Sequence, residues 1–133
     1  MLESKILVVD DSEAIVDTLC DTLERLGLPK DMIFQAHSGE EALKIFKQHQ
    51  PPVVFMDVDL GGQAGDKIAG QMLKQQPNVK IIVMSGFDRN DARVRNLISA
   101  GAYEFMPKPL RLGKLQELLE LMDSEAKGLR RVS

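Results

Sequence analysis

The chain carries the stretch Ile6-Leu7-Val8-Val9-Asp10-Asp11, in which four apolar residues, three of them β-branched, precede two aspartates. A run of this kind is too short for a helix and predicts a strand that is buried on both faces. Two similar runs follow at Val53–Met56 and Ile81–Met84. Three such strands indicate the centre of a parallel sheet that is covered by helices on both sides.

Two further runs mix apolar and polar residues, which is typical of the less covered strands at the edges of a sheet. They lie at Met32–Ala36 and Tyr103–Met106. Helical patterns fill the intervals between the predicted strands, with Gly27 expected to end the first helix and Ser38 to cap the second. The first helix carries Ile15, Val16, Leu19, Leu23 and Leu26 on one face, the second carries Ala42, Ile45 and Phe46, and the last carries Leu112, Leu115, Leu118, Leu119 and Met122. The third and fourth helices are expected at Asp66–Gln75 and about Asp88–Ala100.

The strict alternation of strand and helix, repeated five times, predicts an α/β fold with a parallel sheet. Right-handed crossovers leave few topologies, and three central strands between two edge strands match the flavodoxin-like, doubly wound (βα)5 fold. Its five-stranded parallel sheet has the order 2-1-3-4-5. We expect one domain at residues 1–123 and a frayed C-terminal tail at residues 124–133.

Composition narrows the functional classes. The 133 residues have a net charge of -3, which does not favour direct binding of nucleic acid. Residues 1–66 hold 5 basic and 13 acidic residues, whereas residues 67–133 hold 12 and 7, so an acidic site and a basic partner surface are possible. Scattered charge on solvated helices is the alternative explanation of this uneven distribution.

The sequence also indicates where the protein is located. Cys20 is the only cysteine, so no internal disulfide can form. No apolar run approaches the ~20 residues of a membrane span, and no secretory signal is recognisable. We therefore expect a cytoplasmic protein.

Polar residues follow four of the predicted strands, at the edge where the carboxyl ends of parallel strands meet and ligands bind. They are Asp10 and Asp11, then Asp57, Ser85 and Lys108. Three carboxylates in a semi-buried site repel one another, and a hard divalent cation such as Mg²⁺ relieves that repulsion. A carboxylate beside a cation can accept a phosphoryl group, while Lys108 and Ser85 can bind the transferred oxygens. The set therefore predicts phosphoryl transfer, which needs mainly positioning and neutralised charge.

Each of these residues also has a purely structural interpretation. Asp11 or Ser12 can cap the first helix, and Ser85-Gly86 is a common turn pair. Lys108 can be a solvated surface residue. Coincidence is nevertheless a poor explanation of the whole set, because five polar groups of complementary types follow four different strands.

The same residues resemble the receiver domains of response regulators over about residues 4–123. The matching stretches, which together are highly specific, are Ile6–Ser12, Val53–Asp57, Ile81–Gly86 and Gly101–Pro109. The resemblance implies that Asp57 is the phosphoacceptor and that a sensor histidine kinase or a phosphotransfer protein supplies the phosphoryl group. It also implies that the chain is no general enzyme and catalyses only its own Mg²⁺-dependent phosphorylation and dephosphorylation.

The resemblance implies a site for Mg²⁺ or Mn²⁺. Asp11, Asp57 and the backbone carbonyl of Asp59 would bind the ion, and Asp10 would orient its water shell. The chain departs from the family at Gly61-Gly62, where a proline is frequent, so this loop is expected to be looser. Asp59 adds a fourth carboxylate, which we expect near the phosphate, where it could position the attacking water and change the lifetime of the phosphorylated state.

The resemblance further implies that Ser85 and Phe105 form a switch pair, in which Phe105 turns inward as Ser85 moves toward the phosphate. The Lys108–Pro109 peptide would be cis. The fourth helix, the fifth strand and the fifth helix would then form an output face for an acidic partner or for a second receiver. The basic and aromatic residues expected on this face are Arg89, Arg93, Arg95, Tyr103, Arg111 and Lys114.

Two other functions stay open at this point. The stretches Asp57-Val58-Asp59 and Met84-Ser85-Gly86 resemble motifs of haloacid-dehalogenase-type phosphatases, but the acidic pair of those enzymes lies late in the chain and here it lies early. A binding module that keeps the fold without phosphorylation is the second alternative, and the intact acidic set argues against it. His37 and His49 are predicted to be surface residues rather than metal ligands or phosphohistidines.

Overall fold

One parallel sheet with helices on both faces organises the chain, in a computed structural model that describes residues 4–60, 63–86 and 88–128. The sheet strands are β1 (Ile6–Val9), β2 (Ile33–Ala36), β3 (Val53–Asp57), β4 (Lys80–Ser85) and β5 (Glu104–Pro107). The helices are α1 (Glu13–Arg25), α2 (Gly39–His49), α3 (Gly65–Gln75), α4 (Ala92–Ala100) and α5 (Leu112–Ala126). No helix in these described ranges is long and apolar enough to cross a bilayer.

The strands of this sheet pair in parallel in the order β2-β1-β3-β4-β5. The predicted fold class is therefore confirmed, with three central strands and two edges. The sequence does not predict a second, antiparallel ladder, in which Asp59–Leu60 pairs with Gln63–Ala64. This ladder lies between β3 and α3, so β4 and β5 are the sixth and seventh strands when all strands are counted along the chain.

The central strands are covered on both faces, and each face has its own core. Ile6 and Val8 of β1 point toward α1 and α5, whereas Leu7 and Val9 point toward α2, α3 and α4. The same alternation holds along β3 and β4. Full burial of such side chains contributes about 1.5–3 kcal/mol each. Burial on both faces is the physical reason that these strands are uninterrupted apolar runs.

The first two helices begin at serine caps. The hydroxyls of Ser12 and Ser38 each accept a hydrogen bond from the backbone N–H three residues later, at 3.4 and 3.2 Å. This arrangement satisfies a donor that has no partner inside the helix. The cap predicted at Ser38 is present.

Several element boundaries differ from the sequence prediction. The fourth helix begins at Ala92 rather than near Asp88, because Asp88 accepts a hydrogen bond from the N–H two residues later and Asp91 is the residue that caps the helix. The fifth strand covers Glu104–Pro107, one residue later than expected. Helix α5 continues to Ala126, so the first three residues of the expected tail are helical.

Candidate functional site

The aspartates predicted at the strand ends come together in the structure. Asp10 and Asp11 directly follow β1, and Asp57 is the last residue of β3. One carboxylate oxygen from each of the three lies within 4.8 Å of those of the other two. Asp10 and Asp57 are only 1% and 5% exposed, whereas Asp11 is exposed. The cluster is therefore buried at Asp10 and Asp57 and open to solvent at Asp11. Its carboxylate oxygens are ligands that fit a hard divalent cation.

Lys108 joins the two buried carboxylates. Its Nζ donates to Asp10 Oδ2 at 2.7 Å and lies 3.2 Å from Asp57 Oδ2. Its backbone N–H donates to the Ser85 carbonyl at 2.8 Å. This hydrogen bond holds the backbone of Lys108 beside the end of β4. The Lys108–Pro109 peptide is cis. Lys108 is thus no solvated surface lysine, since its positive charge offsets the repulsion between the carboxylates.

The buried charges alter the proton affinity of two groups. Burial, and after it the negative charge of Asp10, raises the pKa of Asp57 from 3.8 to about 6, despite the opposing charge of Lys108. Burial alone would lower the pKa of Lys108, but the hydrogen bond from its ammonium to Asp10 and the charge of Asp57 raise that pKa overall. The lysine is therefore protonated at neutral pH, while the ionised form of Asp57 is destabilised.

Ser12, and not Asp11, provides the side-chain cap of α1, so the structural alternative for Asp11 does not hold. The backbone N–H of Ser12 also donates to Asp10 Oδ1 at 3.0 Å. The carboxylate of Asp10 is consequently bound at both oxygens, by Ser12 and by Lys108. Asp11 lies at the open side of the cluster, where an incoming ion can reach its carboxylate.

Backbone contacts hold the segment that follows Asp57. The N–H of Asp59 donates to Asp57 Oδ1 at 3.3 Å, and the N–H of Val58 donates to the Met84 carbonyl at 3.1 Å. Gly65, the first residue of α3, packs so closely that a Cβ there would lie 2.3 Å from the carbonyl oxygen of Asp57. Gly65 is not among the residues predicted for the site, although a glycine at the junction of a loop and a helix is a recognisable signal of close backbone approach.

Ser85 and Phe105 lie on neighbouring strands. Ser85 ends β4 at 1% exposure, one position after the residue that pairs with Asp57. Phe105 lies on the edge strand β5 at 8% exposure, in the same apolar cluster as residues of α4. Asp59 is exposed and begins the short antiparallel ladder. The Gly61-Gly62 stretch, which is expected to be loose, lies outside the described residues.

The expected output face is less basic than its composition indicates. Arg95 and Arg111 are exposed. The other four residues contact acidic neighbours, in the pairs Arg89–Glu104, Arg93–Asp91, Lys114–Glu117 and Tyr103–Glu125. The three ion pairs among these contacts neutralise part of the positive charge that the face presents.

The two histidines are half-buried, and their nearest partners are residues outside the acidic cluster. His37 Nδ1 lies 3.9 Å from a carboxylate oxygen of Glu41, and the ring of His49 stacks on Phe34 with the centroids 4.3 Å apart. In the described part of the chain, neither belongs to the group of ligand atoms around Asp57.

We predict that Asp57→Asn raises the free energy of unfolding of the metal-free protein at pH 7.5. The raised pKa of Asp57 means that its ionisation destabilises the fold as pH rises from 3.8 to about 6. The gain at pH 7.5 should be about 1–3 kcal/mol and should shrink near pH 4, where wild-type Asp57 is mostly protonated. Urea denaturation of both proteins in chelator, at pH 7.5 and at pH 4, measures this difference in the free energy of unfolding. An equal difference at the two pH values would contradict the prediction.

Comparison with known sequences gives the family. A model of the response regulator receiver domain matches residues 6–120. The chemotaxis protein CheY of Thermotoga maritima is 31% identical over 115 residues, which are 86% of this chain and 93% of CheY. The response regulator GacA of Pseudomonas syringae is 32% identical over 119 residues, which are 89% of this chain but 54% of GacA. The chain therefore spans nearly all of one relative and about half of another.

Solved structures agree with the sequence matches. The receiver domain of NtrX from Brucella abortus has a TM-score of 0.78 and 29% identity, covering 87% of this chain and 95% of that domain. A response regulator from Burkholderia pseudomallei, solved with a phosphorylated aspartic acid, a calcium ion and citrate, has a TM-score of 0.76 and 28% identity, covering 92% of this chain and 70% of that protein. With the family model matching most of its length, this chain belongs to the response regulator receiver domains of two-component signalling.

Proposed function

We propose that Asp57 of this receiver domain accepts a phosphoryl group and that the modification switches an output surface. The observation that carries the proposal is the ammonium of Lys108, which contacts the carboxylates of both Asp10 and Asp57 at the carboxyl end of the sheet. A nucleophilic carboxylate, a fixed positive charge and a cluster of further carboxylates are the parts that phosphoryl transfer to an aspartate needs.

The transfer step uses the side chains already in contact. A carboxylate oxygen of Asp57 attacks the phosphorus, a new P–O bond forms, and the bond from phosphorus to the donor atom breaks. For a phosphohistidine donor that bond is P–N, and the leaving imidazole takes up a proton. Lys108 and the hydroxyl of Ser85 would bind the transferred oxygens, because both lie at strand ends next to Asp57.

The acidic cluster fits a bound divalent cation, which we propose to be Mg²⁺ or Mn²⁺. Asp11, Asp57 and the backbone carbonyl of Asp59 would hold it, with Asp10 orienting its water shell, since the carboxylate of Asp10 already has two partners in the protein. When bound, the cation supplies charge neutralisation for the transferred oxygens. The exposed carboxylate of Asp59 would in turn position the water that removes the phosphoryl group.

The partners follow from this chemistry. We propose a sensor histidine kinase or a phosphotransfer protein as donor, in the cytoplasm. The output surface would be α4, β5 and α5, either for another protein or for a second copy of this domain. A coupling of about 1–3 kcal/mol between phosphorylation and partner binding is typical of such links.

We predict that incubation with acetyl phosphate and Mg²⁺ adds one phosphoryl group per chain, detected by intact-protein mass spectrometry. Excess chelator should reduce the initial labelling rate by more than about tenfold, because the clustered carboxylates then lack their counter-ion. Unchanged labelling in chelator would reject the metal role. Multiple turnover on p-nitrophenyl phosphate would instead favour a phosphatase, and the absence of any labelling would favour a binding module.

A further inference from the structure

An arginine covers the aromatic residue of the proposed switch pair. The guanidinium carbon of Arg89 lies 5.3 Å from the centroid of the Phe105 ring, a distance at which a cation is attracted to the ring face. Nη2 of the same arginine donates to Glu104 Oε1 at 3.2 Å. Arg89 is 64% exposed at its side chain, so it reaches the ring from the solvent side.

Glu104 connects this arginine to the backbone of the same phenylalanine. Its Oε1 also accepts the backbone N–H of Phe105 at 3.0 Å. The ring of Phe105 thus contacts Arg89 directly, and the backbone of Phe105 is linked to Arg89 through Glu104. We name this group, made of Arg89, Glu104 and Phe105, the arginine clasp.

The position of Arg89 in the fold relates the clasp to the proposed switch. Arg89 lies four positions after Ser85, in the turn that Asp88 stabilises before α4. Phe105 lies on β5, the strand next to β4, and lines a groove of about 530 Å³ together with Arg111 and Lys114. The clasp therefore joins the segment after one switch residue to the side chain of the other.

We propose that Arg89 is a positioning residue for Phe105, which holds the largely buried ring in its present place beneath the guanidinium and opposes its turn toward Ser85. The inference rests on the proposed function, because it concerns the balance between two positions of the switch. A ring that turns toward Ser85 leaves the guanidinium, so its contact with Arg89 is lost. Phosphorylation must then overcome this contact before the output face can change.

Removal of the clasp should shift the switch by a measurable factor. Arg89→Ala is expected to bind beryllofluoride, a mimic of the phosphoryl group, about two- to fivefold more tightly than wild type in Mg²⁺, which corresponds to one exposed cation–ring contact. Glu104→Gln keeps an oxygen for the Phe105 N–H but loses the ion pair, so it should shift the affinity in the same direction by less. Arg25→Ala is the matched control, because Arg25 is also an exposed arginine with a carboxylate partner, Asp21 at 3.1 Å.

The test is a beryllofluoride titration of each protein, followed by NMR of ring-labelled phenylalanine. The chain has five phenylalanines, and the signal that is missing from Phe105→Leu identifies the Phe105 ring. Equal affinities for the Arg89→Ala and Arg25→Ala proteins, or weaker binding by Arg89→Ala, would overturn it. If wild type binds no beryllofluoride, the proposed function fails, and the clasp is judged from the ligand-free spectra alone. Arg89→Ala must then move the Phe105 ring signals while Arg25→Ala leaves them in place, and unmoved signals would reject the clasp.

Discussion

Asp57→Asn is expected to reduce phosphoryl labelling by acetyl phosphate to background, the largest effect of any single substitution in this chain. The amide of asparagine keeps the size of the side chain but has no carboxylate oxygen to attack phosphorus. The variant should stay folded, because removal of this ionised, buried group relieves repulsion with Asp10. Intact-protein mass spectrometry over a time course measures the loss.

Asp31→Asn provides the matched control for this experiment. Asp31 is exposed and lies just before β2, at the end of the sheet opposite to the acidic cluster. Its substitution changes the net charge equally and should leave the labelling rate unchanged. Labelling of Asp57→Asn at the wild-type rate, with peptide mapping to another residue, would show that Asp57 is not the acceptor.

Gly65→Ala is expected to destabilise the fold by about 3 kcal/mol and to slow phosphorylation. The added Cβ would lie 2.3 Å from the Asp57 carbonyl oxygen and 2.8 Å from that of Val58, well inside van der Waals contact. Both neighbours are backbone atoms, so relief requires movement of α3 or of the segment that carries Asp57. Urea denaturation measures the loss of stability, and the labelling rate of the folded protein measures the displacement of the acceptor.

Gly70→Ala is the control for the glycine substitution, because Gly70 lies in the same helix and a Cβ there would meet nothing within 4 Å. Alanine has a higher helix propensity than glycine, so this variant should gain up to about 1 kcal/mol. Opposite signs for the two substitutions would establish that packing at Gly65 is the cause. A Gly65→Ala protein as stable as Gly70→Ala would disprove the close approach.

Local patterns were sufficient to predict the architecture and much of the site. Three uninterrupted apolar runs predict the central strands, because residues buried on both faces of a sheet must all be apolar. The polar residues after those runs converge because parallel strands end at one edge, so Asp10, Asp11 and Asp57 could be expected to meet. The resemblance to receiver domains assigns the roles of Ser85 and Phe105, which stay predictions, and the cis peptide before Pro109, which the structure contains.

The start of α4 shows where local patterns stop being sufficient. Asp88 and Asp91 are both good cap residues, and the sequence does not distinguish them. The turn that Asp88 stabilises leaves Asp91 to cap the helix, so the choice depends on how the whole segment after β4 is folded. A difference of this kind arises wherever two equivalent local signals compete.

Sequence alone determined the order of strands and helices and the presence of aspartates and of Lys108 at the carboxyl ends of the strands. Each of these features depends only on residue type and on position along the chain. Tertiary structure decided the close approach of Gly65 to the Asp57 carbonyl and the contact of Arg89 with Phe105. In the second pair the residues are sixteen positions apart (89 to 105) on separate segments, and no local pattern encodes their distance. Such contacts depend on how neighbouring strands and helices pack, and packing is a property of the folded chain.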